Sequence, residues 1–157
     1  MKKSPFKFTD PVLEECEFYT NKGYINEIRA KSEKRNPIKM EINVKTEGGE
    51  ITEERCILSL QVEVGSKVDT CPFYARVKMK AFFQTTENIS EELKGSFMKI
   101  NAPALLYSYI RPIISSLTGN SMFPRYNLPF MNFTNNHEQD DKDDKDDKND
   151  KNDKNDN

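Results

Sequence analysis

The chain has 157 residues, enough for one domain built on a single hydrophobic core. From Asp140 onward it carries nine Asp, five Lys and four Asn and nothing apolar, a charge of −4 against −2 for the whole chain, so residues 1–139 carry +2. A body this close to neutral has no electrostatic footprint for nucleic acid or an anionic membrane surface, and no apolar run approaches the ~20 residues of a bilayer span.

Met1-Lys2-Lys3 leads into no apolar signal core, so the expected location is the cytoplasm. Cys16, Cys56 and Cys71 form no CxxC pair, and each sits in an apolar-periodic segment as a small buried thiol would. His137 is the sole histidine and lies at the edge of the tail, so neither a Cys–His nor a Ser–His–Asp set is available. There is also no phosphate-binding glycine loop and no zinc spacing. The expectation is a non-enzyme with no cofactor and no metal.

The first segment with a two-residue period holds Phe6 and Phe8, then Cys16 and Phe18 beyond Asp10-Pro11. Pro11 offers no N–H to a ladder, so this strand belongs at an edge or carries a bulge. Glu14, Glu15 and Glu17 on it read as a solvated strand face. Asn21 to Pro37 contains Gly23 and many charges, and reads as a long mobile crossing rather than a helix. Ile38, Met40, Ile42 and Val44 mark a second strand, and Glu47-Gly48-Gly49-Glu50 reads as the turn at its end. Cys56, Leu58, Leu60, Val62 and Val64 define the third strand. A turn begins at Gly65, and the fourth strand alternates from Cys71 through Phe73, Ala75, Val77, Met79 and Ala81 to Phe83. Such alternation puts one face on a core and the other in water, and the short links make neighbours antiparallel.

The period then changes. Asn101 is placed to cap a helix, Pro103 falls in its first turn, and Gly119 is placed to end it. Leu106, Ile110, Ile113 and Leu117 recur at helical spacing, widened by Leu105 and Tyr109. Pro112 lies inside and should kink the helix. Ser121 to Phe133 is apolar and irregular. The tail buries nothing and is expected to be disordered. The fold class is therefore α+β: a four-stranded antiparallel sheet with one long helix packed on it, over residues 1–133, and an acidic tail over 134–157. One helix covers such a sheet incompletely, which leaves apolar surface for another chain.

The block Asn101–Phe133 resembles the SecB family of protein-export chaperones. The resemblance rests on Pro103, Tyr107, Tyr109, Arg111, Gly119, Phe123-Pro124, Asn127-Leu128 and Asn132-Phe133 at matching spacing, and extends over roughly residues 5–133. It implies a holdase that works without ATP, keeps unfolded polypeptides in apolar grooves and supports export. It also implies a homo-oligomer, a dimer or a dimer of dimers, and the translocation ATPase SecA as a partner. Groove candidates are Phe82, Phe83, Phe97, Met98, Tyr107, Met122, Phe123, Tyr126, Phe130 and Met131. Glu15 matches an acidic position in the family's docking surface, whereas Tyr19 and Arg76 stand where relatives carry carboxylates. Relatives continue beyond Asn-Phe into a second amphipathic helix, but here Thr134-Asn135-Asn136 leads into the charged tail. Two alternatives are a chaperone dedicated to one partner such as an antitoxin, and a carrier of a small apolar ligand in the sheet–helix cleft.

Overall fold

A computed structural model describes residues 4–30, 40–68, 71–85 and 89–134. The charged tail from residue 135, the start of the second apolar segment at Ile38 and the crossing over 31–39 lie outside the described residues.

Strands β1 (Phe6–Phe8) and β2 (Val12–Thr20) are two pieces of the first segment, separated around Asp10-Pro11. Both pair antiparallel with β5 (Phe73–Thr85), with a bulge between Leu13 and Glu15. β5 pairs with β4 (Arg55–Gly65), and β4 with β3 (Ile42–Thr52), so the sheet runs in four rows. The alternation in β4 and β5 does what the sequence requires. Leu60, Val62, Val64, Ala75 and Val77 are fully buried on one face, each apolar side chain of this kind contributing ~1.5–3 kcal/mol.

Two expectations are overturned here. Glu47–Glu50 is not a turn. These residues continue β3 opposite Ser59, Leu58, Ile57 and Cys56, and the turn falls at Glu53-Glu54. A Cβ on Gly48 would lie 2.8 Å from Leu58 Cδ1, so this glycine serves close packing within a strand. Gly65 does serve a turn: its φ of +76° is a left-handed value, and its N–H donates to the Glu41 carbonyl at 2.9 Å. The segment after β2 is also not a plain crossing, because Lys22–Ala30 forms helix α1. Tyr24 and Ile25 are half-buried, and the Tyr24 ring meets Phe123 edge-on at 5.9 Å. That packing offsets the ~1 kcal/mol that Gly23 costs a helix.

Helix α3 (Ala102–Gly119) packs across β4 and β5. It is entered through an arm that the sequence reading missed: α2 (Glu91–Ser96), then one π-helical turn (Phe97–Asn101). Ser90 caps this arm by accepting from Leu93 N–H at 3.3 Å, with Glu91 and Glu92 in the first turn. Asn101 sits inside continuous helical backbone and makes no side-chain capping bond. The buried stripe of α3 is Leu106, Tyr107, Ile110, Ile114 and Thr118, whereas Ile113 and Leu117 are half-buried and Tyr109 is exposed. The helix runs on through Pro112 to Gly119.

The opposite sheet face is an ion-pair lattice. Glu14 pairs with Lys80, Glu15 and Glu17 share Arg76 at 3.5 and 3.3 Å, Lys67 reaches Glu17 at 2.6 Å, and Lys78 reaches Glu47 at 2.9 Å. The hydrogen bond from Lys80 holds the Glu14 carboxyl below its ordinary value of 4.5, and that from Lys67 does the same for Glu17. Carboxyls with lowered folded pKa values add stability above the unfolded value and lose it as pH falls through the folded value. Thermal midpoints should therefore drop as pH falls below ~4.5. Glu14→Gln should flatten that drop by about 1 kcal/mol or less, as for an exposed pair. An unchanged acid limb in the variant would show that the Glu14–Lys80 pair contributes nothing.

Candidate functional site

A cleft of about 640 Å³ opens between the inner face of β3–β4 and the arm that leads into α3. Val44, Thr46, Gly48, Cys56 and Leu58 form its sheet side. Gly95, Met98, Lys99 and Pro103 form its helical wall, and Phe133 closes it from the returning chain. The π-helical turn places Met98 and Lys99 here by adding a residue to one turn and so rotating the helix beyond it.

Lys94 ties the wall to the sheet. Its side chain is only 6% exposed and pairs with Glu50 at 2.7 Å. It also donates to the Glu53 carbonyl at 2.7 Å. The hydrogen bond to Glu50 raises the Lys94 pKa, so the ammonium is fixed in its charged form. Burial pushes the Cys56 thiol up, so it stays protonated beside Val44 and Leu58, while Glu50, Glu91, Lys94 and Lys99 bring charge to the same cleft.

The far wall is set by a row of side chains along α3. Tyr107 Oη–H donates to the Pro129 carbonyl at 2.9 Å, Arg111 Nε–H to the Leu128 carbonyl at 3.1 Å, and Ser115 Oγ–H to Asn127 Oδ1 at 2.9 Å. Tyr126 N–H donates to Thr118 Oγ1 at 2.9 Å. Positions 107, 111, 115 and 118 share one helix face, and together they pin the return segment antiparallel to α3. Leu128 and Phe133 are buried as a result, and the Tyr107 and Phe133 rings meet edge-on at 5.8 Å.

The ten groove candidates are dispersed by the fold. Met98 lines the cleft. Phe83 and Tyr107 are core residues, the latter propping Phe133. Phe97 stacks on Phe6 at 3.7 Å and meets Phe83 edge-on. Phe123 and Tyr126 are half-buried against Phe73. Phe82 lies on the opposite sheet face from Phe83 and is 43% exposed. Phe130 is 89% exposed beneath the Arg111 guanidinium, 4.4 Å from its ring centre, and Met122 and Met131 are exposed. Glu15 lies on the ion-paired face. The reading missed Val44, Gly48, Leu58, Lys94 and Phe133. The glycine pair inside an alternating run was the available signal, since such a pair also marks close approach in a strand.

No helix among the described residues is long and apolar enough to cross a membrane. The chain is 30% identical over 134 residues to uncharacterized protein MJ0357 of Methanocaldococcus jannaschii, covering 83% of this chain and 81% of that one. It is 28% identical over 89 residues to protein-export protein SecB of Anaplasma marginale, covering 56% of this chain and 51% of that one. The chain thus spans about half the length of that SecB relative. Among solved structures, it superposes on the Mycobacterium tuberculosis Rv1957 SecB-like chaperone in complex with a ChAD peptide from the Rv1956 HigA1 antitoxin. The TM-score is 0.58 at 13% identity, over 81% of this chain and 88% of that one. Residues 24–144 match the family Preprotein translocase subunit SecB, which takes in β3 to β5, the helical arm, α3 and Phe133, and on that match the chain belongs to the SecB family.

Proposed function

We propose that this protein is a chaperone that holds unfolded polypeptides without ATP, in support of protein export, and that the β3–α3 cleft is where it grips them. The observation that carries the reading is a cleft in which Val44, Cys56, Leu58, Met98, Pro103 and Phe133 offer apolar surface among the charged groups of Glu50, Glu91, Lys94 and Lys99, alongside an edge strand. Side chains of an extended client buried there would each contribute ~1.5–3 kcal/mol. Met98 suits varied clients because its thioether adapts its shape. Sites repeated on an oligomer would add through effective concentration. The second copy is proposed to cover Phe8, Leu13 and Tyr109, apolar residues that a single chain leaves 43%, 46% and 40% exposed.

Handover to SecA belongs to the same proposal, with Glu15 as the docking candidate. Arg76 already engages both Glu15 and Glu17, so a docking partner must displace it.

Light scattering of a denatured client tests the reading. Full-length protein at near-stoichiometric oligomer should suppress aggregation without nucleotide, and should sediment as a dimer or larger. The same assay on a chain lacking residues 134–157 assigns the tail its share. Client precipitation unchanged at roughly tenfold excess of the protein would remove the holdase claim.

A further inference from the structure

Helix α2 turns its side chains the opposite way from an ordinary amphipathic helix. Leu93 faces solvent at 48% exposed, and the only buried residue of the helix is Lys94. Six residues are too few to hold a helix without tertiary contacts. What fixes α2 to the sheet is the Lys94 ammonium, which reaches Glu50 Oε1 and the Glu53 carbonyl, each at 2.7 Å. The turn that follows is anchored by other means. Phe97 stacks on Phe6 of β1, with ring centres 3.7 Å apart and planes within 5°, and meets Phe83 edge-on at 5.8 Å. Ala102 and Pro103 beyond it are buried. An ionic anchor and an aromatic anchor thus lie on either side of the junction at Gly95-Ser96, where the α-helical turn gives way to the π-helical one. They respond oppositely to opening. A ring pulled from its stack loses burial, whereas an ammonium pulled from a buried slot regains hydration, as do the Glu50 carboxylate and the Glu53 carbonyl.

We propose that α2 is a lid latched by Lys94, which swings on its junction with the π-helical turn while Phe97 stays in place. Opening releases Lys94 from Glu50 and Glu53 together and uncovers Cys56, the cross-strand partner of Glu50 in the cleft. Segments with few buried apolar contacts are the first to open in a native protein, and α2 buries none of its apolar side chains. The lid is a property of the chain alone and goes beyond the chaperone reading, which the aggregation assay tests separately.

Native-state thiol labelling of the full chain, mapped by mass spectrometry, reads the motion. Cys56 and Cys71 are both buried, but only Cys56 lies in the cleft beside α2, so Cys71 reports wider unfolding. Glu50→Gln keeps the shape of the side chain and strips Lys94 of its counter-ion, so it should speed labelling of Cys56 about tenfold or more and leave Cys71 nearly unchanged. Glu91→Gln is the electrostatic control. Like Glu50, Glu91 raises the Cys56 pKa through its charge, but at 3.9 Å it makes no hydrogen bond to Lys94. This variant should alter Cys56 labelling by about twofold or less, as a screened exposed charge does. Equal acceleration by the two variants would trace the effect to thiol ionisation and overturn the latch. Unchanged Cys56 labelling in Glu50→Gln, or Cys71 rising in step with Cys56, overturns it as well. Hydrogen exchange on the native chain decides the matter should Glu50→Gln not fold. Amides of residues 94–97 should exchange about 100-fold or more faster than those of residues 106–110 in α3, and equal protection would show that α2 opens only when the whole domain unfolds.

Discussion

Leu106→Ala should lower the unfolding free energy by about 3 kcal/mol in urea titration, within the 2–5 kcal/mol range of buried leucine truncations. Leu106 is fully buried on the face of α3 that meets the sheet, in one cluster with Leu60, Val62, Ala75 and Val77. Removal of three carbons opens a cavity there, and the flanking β4–β5 ladder runs over eleven residue pairs, so the site cannot collapse around the gap. The neighbouring Leu105 is only half-buried in the single chain. Leu105→Ala should therefore cost about 1 kcal/mol, an ordinary value for a partly exposed position. Equal losses at the two positions would mean that the outer face of α3 is covered by another chain. A loss below about 1 kcal/mol at Leu106 would contradict the core described here.

The contrast between these two leucines shows what patterning discloses. β4 and β5 were legible because their apolar residues recur at a strict period of two and the fold uses that period without interruption. The stripe of α3 was legible as a helix, but not in its orientation. Leu106, Ile110 and Ile113 share a face with Ile114 and Thr118 within the width of one apolar stripe, and only the sheet decides that Ile114 and Thr118 point inward. Gly48-Gly49 was misread because glycine signals both a reversal and a close approach, and local sequence does not say which. The cleft was illegible for a different reason. It joins β3, the α2–α3 arm and Phe133, segments brought together by topology, and its helical wall depends on a π-turn that no period announces. The motif residues behind the family resemblance turn out to be largely architectural. Tyr107, Arg111 and Asn127 hold the return segment on α3, so their spacing is set by the shape of that segment.

Asn21→Ala should cost roughly 2–3 kcal/mol, although nothing in the sequence distinguishes this residue from other polar loop residues. The side chain is fully buried between β2 and α1. Its amide donates to the carbonyls of Ser66 and Val68, both at 2.9 Å, and to that of Cys71. One NH₂ group has two hydrogens, so three acceptors share them and the loop between β4 and β5 is organised around a single nitrogen. Oδ1 is buried and finds no partner among the described residues. Alanine would take this donor from the Ser66 and Cys71 carbonyls, whereas the Val68 carbonyl keeps the Cys71 N–H at 3.1 Å, and the buried bond to Cys71 is the costly one to lose. Asn21→Asp separates this account from simple loss of packing. At neutral pH it places a carboxylate against carbonyl oxygens and has no hydrogen to give, so it should be less stable than the alanine variant despite its matching shape. Burial and the facing carbonyls raise the folded pKa of that carboxyl above its unfolded value near ~3.9. The penalty is then fully present above the folded pKa and relieved as pH falls through it, when the protonated acid regains one donor. A thermal midpoint of Asn21→Asp that approaches that of the native chain between about pH 7 and pH 4 would bear this out. A constant offset across that range, equal to that of Asn21→Ala, would mean that the loop is held by packing and the three carbonyls are satisfied without Asn21.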